Sequence, residues 1–178
     1  MRVYRQTVQD FGLYAGQELT AERMEELRIA ASEMSAKMRA VRIVSASNVS
    51  KKDLEQRLIH KGEDADQAKN AVRWMEELNL LDDRRTAEQI VSRCAAKGYG
   101  VARAKQALYE KRIPKRYWDE VLADYPDQTD AIRAFLQGRL TPESDKNDVK
   151  KAIDALLRRG HSYGDIRRVV DLDDLAED

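Results

Sequence analysis

Leu58-Ile59-His60-Lys61-Gly62, Leu108-Tyr109-Glu110-Lys111-Arg112 and Leu156-Leu157-Arg158-Arg159-Gly160 are three versions of one short phrase. In each, a leucine leads through a basic residue into a turn. Taking Lys61, Lys111 and Arg159 as anchors, the copies stand 50 and 48 residues apart. A period of that size marks stacked supersecondary units, each too small to bury a core by itself. Such a chain presents a long surface rather than enclosing a pocket.

The residues around each copy set its helices. Ser50-Lys51-Lys52-Asp53 has the form of a capping box, Leu54 and Leu58 lie one turn apart, and Gly62 suits a left-handed C-cap. Ala68, Ala71, Val72, Met75 and Leu78 define a following helix that stops near Asn79, and Met34, Met38 and Val41 supply the face of a preceding one. In the second copy Asp82 and Asp83 offer N-caps. Ala87, Ile90, Val91 and Cys94 form a stripe ending at Gly98, and Val101, Ala104 and Leu108 form the next. Pro114 opens a helix with Trp118, Val121, Leu122 and Tyr125 inward. The third copy runs through Ala131, Phe135 and Leu136, then Val149 to Leu157, then Ile166 to Val170. The reading is all-α: an elongated array of three tandem three-helix repeats. Its boundaries are an N-terminal extension and helix start at 1–30, then repeats at 31–81, 82–126 and 127–178, the last with an acidic tail. Val3 to Val8, β-branched and aromatic, and the glycines at 12 and 16 suggest that the extension is partly extended or a hairpin.

Composition narrows the class. Charged residues make up 36% and aromatics 6%, which suits solvated helices rather than a sandwich or barrel. No apolar run approaches the ~20 residues that span a bilayer, so no membrane role is expected. The single cysteine excludes an internal disulfide and fits a reducing compartment, with the cytoplasm the simplest address. Net charge is zero, but unevenly so. Residues 63–83 carry seven acids against two bases, residues 84–116 carry ten bases against two acids, and the last eight residues carry five acids. A basic block beside an acidic one steers a partner of patterned charge or nucleic acid.

Catalytic constellations are missing. There is no phosphate-binding glycine loop of either common form, and Gly98-Tyr99-Gly100 reads as a turn between helices. One cysteine and two histidines cannot close a zinc site, so no cofactor or metal is expected. His60 and His161 lie at helix ends, where the dipole favours a capping role. Cys94 falls on an apolar stripe, and Trp74 and Trp118 suit packing better than base stacking. The chain is not expected to be an enzyme.

The joint between the first two copies is more specific. Glu77-Leu78-Asn79-Leu80-Leu81-Asp82-Asp83, Ala87, Lys97-Gly98-Tyr99-Gly100 and Leu108-Tyr109-Glu110-Lys111-Arg112-Ile113-Pro114 together resemble the RecX family, bacterial regulators of the recombinase RecA. The resemblance extends over about residues 30–172, through Leu157-Arg158-Arg159-Gly160-His161-Ser162-Tyr163. Arg112 stands where the family usually has glycine, and His161 where it more often has an aromatic or apolar residue. The resemblance implies a helical-repeat regulator in homologous recombination, DNA repair and the SOS response. It would bind along the groove of the RecA filament on single-stranded DNA and limit filament growth, ATP hydrolysis, strand exchange and co-protease activity. The expected form is a monomer with at most weak direct DNA binding.

The family supplies no motif for contact residues, so these are taken from charge. Arg84, Arg85, Arg93, Lys97, Arg103, Lys105, Lys111, Lys115 and Arg116 form the leading cationic surface, with 85, 93 and 97 on adjoining turns of one helix. Arg158, Arg159, Arg167 and Arg168 form a second, weaker one. The alternative is a helix-turn-helix-like module that binds DNA without a recombinase.

Overall fold

The computed structural model describes residues 3–170, and within them the chain is all-helical. Ten α-helices occur among the described residues: α1 (Arg5–Asp10), α2 (Ala21–Ala46), α3 (Lys51–His60), α4 (Ala65–Glu77), α5 (Asp83–Ala96), α6 (Val101–Glu110), α7 (Trp118–Leu122), α8 (Thr129–Gln137), α9 (Lys146–Arg158) and α10 (Tyr163–Arg167). The acidic segment at 171–178 lies outside the described residues. The chain divides into two compact units, one ending at Asp83 and the other beginning at Arg84.

The thrice-repeated phrase is one backbone device. Leu58, Leu108 and Leu156 are fully buried. Lys61, Lys111 and Arg159 are the C-caps of α3, α6 and α9. The next residue is left-handed in every copy: Gly62 at φ +87°, Arg112 at +55° and Gly160 at +86°. The amides of Glu63, Ile113 and His161 then return to the carbonyls of the three leucines at 3.1, 3.0 and 3.2 Å. This is the Schellman closure, and it satisfies carbonyls that a helix end would otherwise leave open. A basic residue at the C-cap also suits the negative end of the helix dipole.

In the first unit, α2, α3 and α4 enclose a core of Ala36, Ala40, Ile43, Val49, Leu54, Leu58, Ala68, Ala71, Val72, Met75 and Leu81. The face of α2 expected from Met34, Met38 and Val41 is not the deepest one. Those residues are half-buried, while Ala36 and Ala40 are fully enclosed. Small residues on α2 meet Ala68 and Ala71 of α4, and bulkier side chains fit only at the margin. Ser50 caps α3 by accepting from the Asp53 amide at 3.0 Å. Asp83 is buried, and its carboxylate accepts from the Lys51 amide at 2.8 Å. It therefore caps α3, whereas the sequence suggested a cap for the helix that follows it.

The extended or hairpin reading of the N-terminal segment is corrected: residues 5–10 form α1. Alternation of β-branched residues is a weak signal over six positions. Here Thr7 is buried, and Arg23 of α2 lies 4.9 Å from the centre of the Phe11 ring. Contacts with α2 thus override local preference. Helix α2 runs unbroken across position 30, capped at its start by Thr20, whose hydroxyl accepts from the Arg23 amide at 3.2 Å.

The second unit holds two cores. Ala87, Val91, Leu108 and Ile113 form one, with Ile90, Tyr117, Trp118, Val121, Leu122 and Tyr125 packed around them. Pro114 lies just before a 3-10 turn at Lys115–Tyr117 that leads into α7, one step earlier than the first-turn position expected for it. Trp118 donates its indole N–H to the Ile113 carbonyl at 3.0 Å. Ile132, Leu136, Ala152, Ile153, Leu156 and Ile166 form the other core, from α8, α9 and α10.

Candidate functional site

The cationic residues of the second unit fall into two kinds. Some are used internally. Arg84 pairs with Glu88 at 3.4 Å and with Glu120. Arg103 is half-buried and pairs with Glu110 at 3.3 Å. Arg116 lies over the Tyr117 ring and donates to its hydroxyl at 3.0 Å. Arg168 pairs with Asp165. Arg85, Lys111 and Arg167 also have partners within the chain.

Others point to solvent. Arg93, Lys97, Lys105, Lys115 and Arg158 are exposed, and among the described residues none forms an ion pair. Helix α5 ends at Ala96, so Lys97 stands one residue past it. Its amide still bonds the Arg93 carbonyl at 3.2 Å, which keeps 93 and 97 in helical register. The exposed face of α6 adds Tyr109, 71% exposed, one turn after Lys105.

Arg159 is used internally without an ion pair. Its guanidinium lies between the rings of Tyr99 and Phe135, at 4.8 and 5.2 Å, and donates to the Lys97 carbonyl at 2.9 Å. It is part of a joint between the turn after α5 and the turn after α9. The Gly100 amide donates to the Arg159 carbonyl at 3.1 Å, and the Ala102 amide to the Gly160 carbonyl at 3.2 Å. The Tyr125 hydroxyl donates to the Tyr99 carbonyl at 2.6 Å. Burial pushes the Tyr125 phenol up to about 12 and also raises the Cys94 thiol, so both stay protonated at neutral pH.

His161 is the joint's buried polar member, and its ring Nε2 lies 3.1 Å from the Gly98 carbonyl. The sequence suggested a protonated cap on the histidine's own preceding helix. Instead it caps the turn that follows α5, and burial lowers its proton affinity.

Two glycines make this crossing fit. A Cβ on Gly100 would lie 2.0 Å from the Gly160 oxygen, and one on Gly160 would lie 2.3 Å from the Arg103 nitrogen. Gly100 has an ordinary φ of −76° at the N-cap of α6, with no side-chain cap bond. Its glycine is required by proximity, not by torsion. The sequence reading treated 98–100 as a turn and Gly160 as a helix cap, and missed that they touch. A glycine where Ser, Thr or Asp is preferred was the available signal. The joint also brings the two cationic groups chosen from sequence into one unit, with Lys97 on one turn and Arg158 beside the other.

Comparison with known proteins bears on the family and the fold. The family model for the second three-helix domain of RecX matches residues 82–122. The regulatory protein RecX of Chlorobaculum tepidum is 32% identical over 141 residues, covering 78% of this chain and 88% of the relative. That of Ralstonia pickettii is 30% identical over 149 residues, covering 82% and 92%. Among solved structures, a crystal structure of regulatory protein RecX superposes with a TM-score of 0.72 at 18% identity, covering 95% of this chain and 86% of that one. RecX from Lactobacillus salivarius gives 0.65 at 22%, covering 82% and 99%. The fold is that of an all-helical regulatory protein. The chain belongs to the RecX family.

Proposed function

We propose that this chain is a non-catalytic regulator of RecA that binds along the groove of the RecA–DNA filament. There it limits filament growth, ATP hydrolysis, strand exchange and co-protease activity. The observation that carries the reading is the exposed set Arg93, Lys97, Lys105, Lys115 and Arg158, all in one unit and committed to no internal ion pair among the described residues. Long cationic side chains held out on helices and the turns beside them match a groove lined by DNA phosphate and acidic protein surface. Cys94 is buried, which suits a packing role rather than chemistry. The protein would act as a cytoplasmic monomer, stoichiometrically, by binding one filament state more tightly than the alternatives.

A second reading has its own observation. Tyr109 exposed one turn from Lys105 is an arrangement on which a nucleic-acid base can stack while a phosphate meets the cation. In that case the chain binds DNA without a recombinase. The test compares affinity for RecA-coated single-stranded DNA with affinity for the bare strand at physiological salt. Preference for the coated strand supports regulation of the filament. Equal or tighter binding to bare DNA, with a steep salt dependence, supports the second reading.

A further inference from the structure

The joint contains a titratable group that neither packing nor the proposed contact surface explains. His161 is 4% exposed, and its Nε2 faces a carbonyl, which can only accept, so Nε2 carries the proton. Its Nδ1 is buried with no hydrogen-bond partner. A second proton would therefore enter as a buried N–H without an acceptor, on a ring that has become charged.

The charged groups around it offer little relief. Arg159, two residues before, is held in the same joint and disfavours a second cation. Asp165 of α10 is the nearby acid, but its carboxylate already accepts from the Ser162 hydroxyl at 2.6 Å and pairs with Arg168. From the other turn come the Gly98 carbonyl and Lys97. From α6 comes Arg103, whose backbone packs on Gly160. Of the two charges that act on the ring, the cation Arg159 outweighs the already engaged acid Asp165.

We propose that the crossed-turn joint is an acid-sensitive coupling: protonating His161 at Nδ1 releases the Lys97–Gly100 turn from the Arg158–His161 turn, so that the α5–α7 and α8–α10 cores move independently. The claim concerns the joint itself and stands whatever partner the cationic face binds.

The sign follows from proton linkage. The closed joint binds fewer protons than the open one, so opening is favoured as pH falls below the ordinary histidine value of about 6.5. Between pH 7.5 and 5.5 the opening constant rises by at most about tenfold, the limit reached if the closed form takes up no proton.

Hydrogen exchange at the Gly100 and Ala102 amides reads this directly, because both donate across the joint. Their protection factors, corrected for intrinsic exchange, should fall by several-fold over that pH interval. Amides inside α9 should hold theirs. His161→Gln keeps a donor for the Gly98 carbonyl and cannot titrate, and His161→Phe fills the site without a polar atom. Whichever variant retains the helical signal should show protection independent of pH. No fall in the wild-type chain, or a fall of the same size in the variants, overturns the proposal.

Discussion

Replacing Gly100 with alanine separates two views of that residue. Its φ of −76° is open to any L-residue, so judged by backbone torsion alone the substitution is mildly stabilising, by about 0.4–1 kcal/mol through the unfolded chain. The structure predicts the opposite. The new methyl would lie 2.0 Å from the Gly160 oxygen, 2.2 Å from its carbon and 2.4 Å from the His161 nitrogen, all backbone atoms that no rotamer change can move aside. The two turns must part, which breaks the Gly100–Arg159 and Ala102–Gly160 bonds. At about 1 kcal/mol for each lost bond, and about 1–3 kcal/mol for overpacking, the net loss comes to about 3 kcal/mol. Urea denaturation followed by Trp118 fluorescence in a Trp74→Phe background reports on the second unit alone, since each unit holds one tryptophan. Gly62→Ala, in the first unit and so read by Trp74 fluorescence in a Trp118→Phe background, is the control. It sits at φ +87° with nothing within 4 Å of the added methyl, so it should lose only about 1–2 kcal/mol from left-handed strain. A Gly100→Ala protein as stable as the wild type would refute the close-approach argument.

The other expectations rest on single contacts. Arg112→Gly should stabilise the second unit by about 0.5–1 kcal/mol in the same urea assay, because an arginine at φ +55° carries strain that glycine does not. Asp83→Ala should cost the first unit about 1–2 kcal/mol through loss of the cap on Lys51, seen by Trp74 fluorescence in a Trp118→Phe background. Tyr125→Phe should cost about 1 kcal/mol at neutral pH. The wild-type phenol, raised mainly by burial, supports the fold fully below about pH 10 and loses that support as pH climbs toward about 12. Spectrophotometric titration should accordingly find one late-ionising tyrosine that the variant lacks.

What could be read from the sequence follows the range of the interactions involved. Helix ends are written locally, so Gly62 disclosed its left-handed C-cap and Ser50 its cap on α3. Arg112 kept the left-handed turn of its copies although it is not glycine, because Leu108 and Ile113 anchor both sides of it in the core. Contacts between residues distant in sequence were hidden. Asp83 reaches back 32 positions to cap α3, and Arg159 reaches 62 positions to Lys97. Periodicity carries no term for either. The same limit applies to the charge list: Arg84, Arg103 and Arg159 look like Arg93 in sequence, yet each is tied to a partner inside the chain.

The central claim is that this protein restrains RecA through the exposed cations of its second unit. ATP hydrolysis by RecA on single-stranded DNA, with the protein titrated in, tests it most directly. The account predicts inhibition at substoichiometric to equimolar ratios. It also predicts a marked weakening in the Arg93→Glu, Lys97→Glu double variant at unchanged helicity. Hydrolysis untouched by the wild-type protein at equimolar ratios would contradict the regulatory claim, and full inhibition by the double variant would contradict the assignment of the surface.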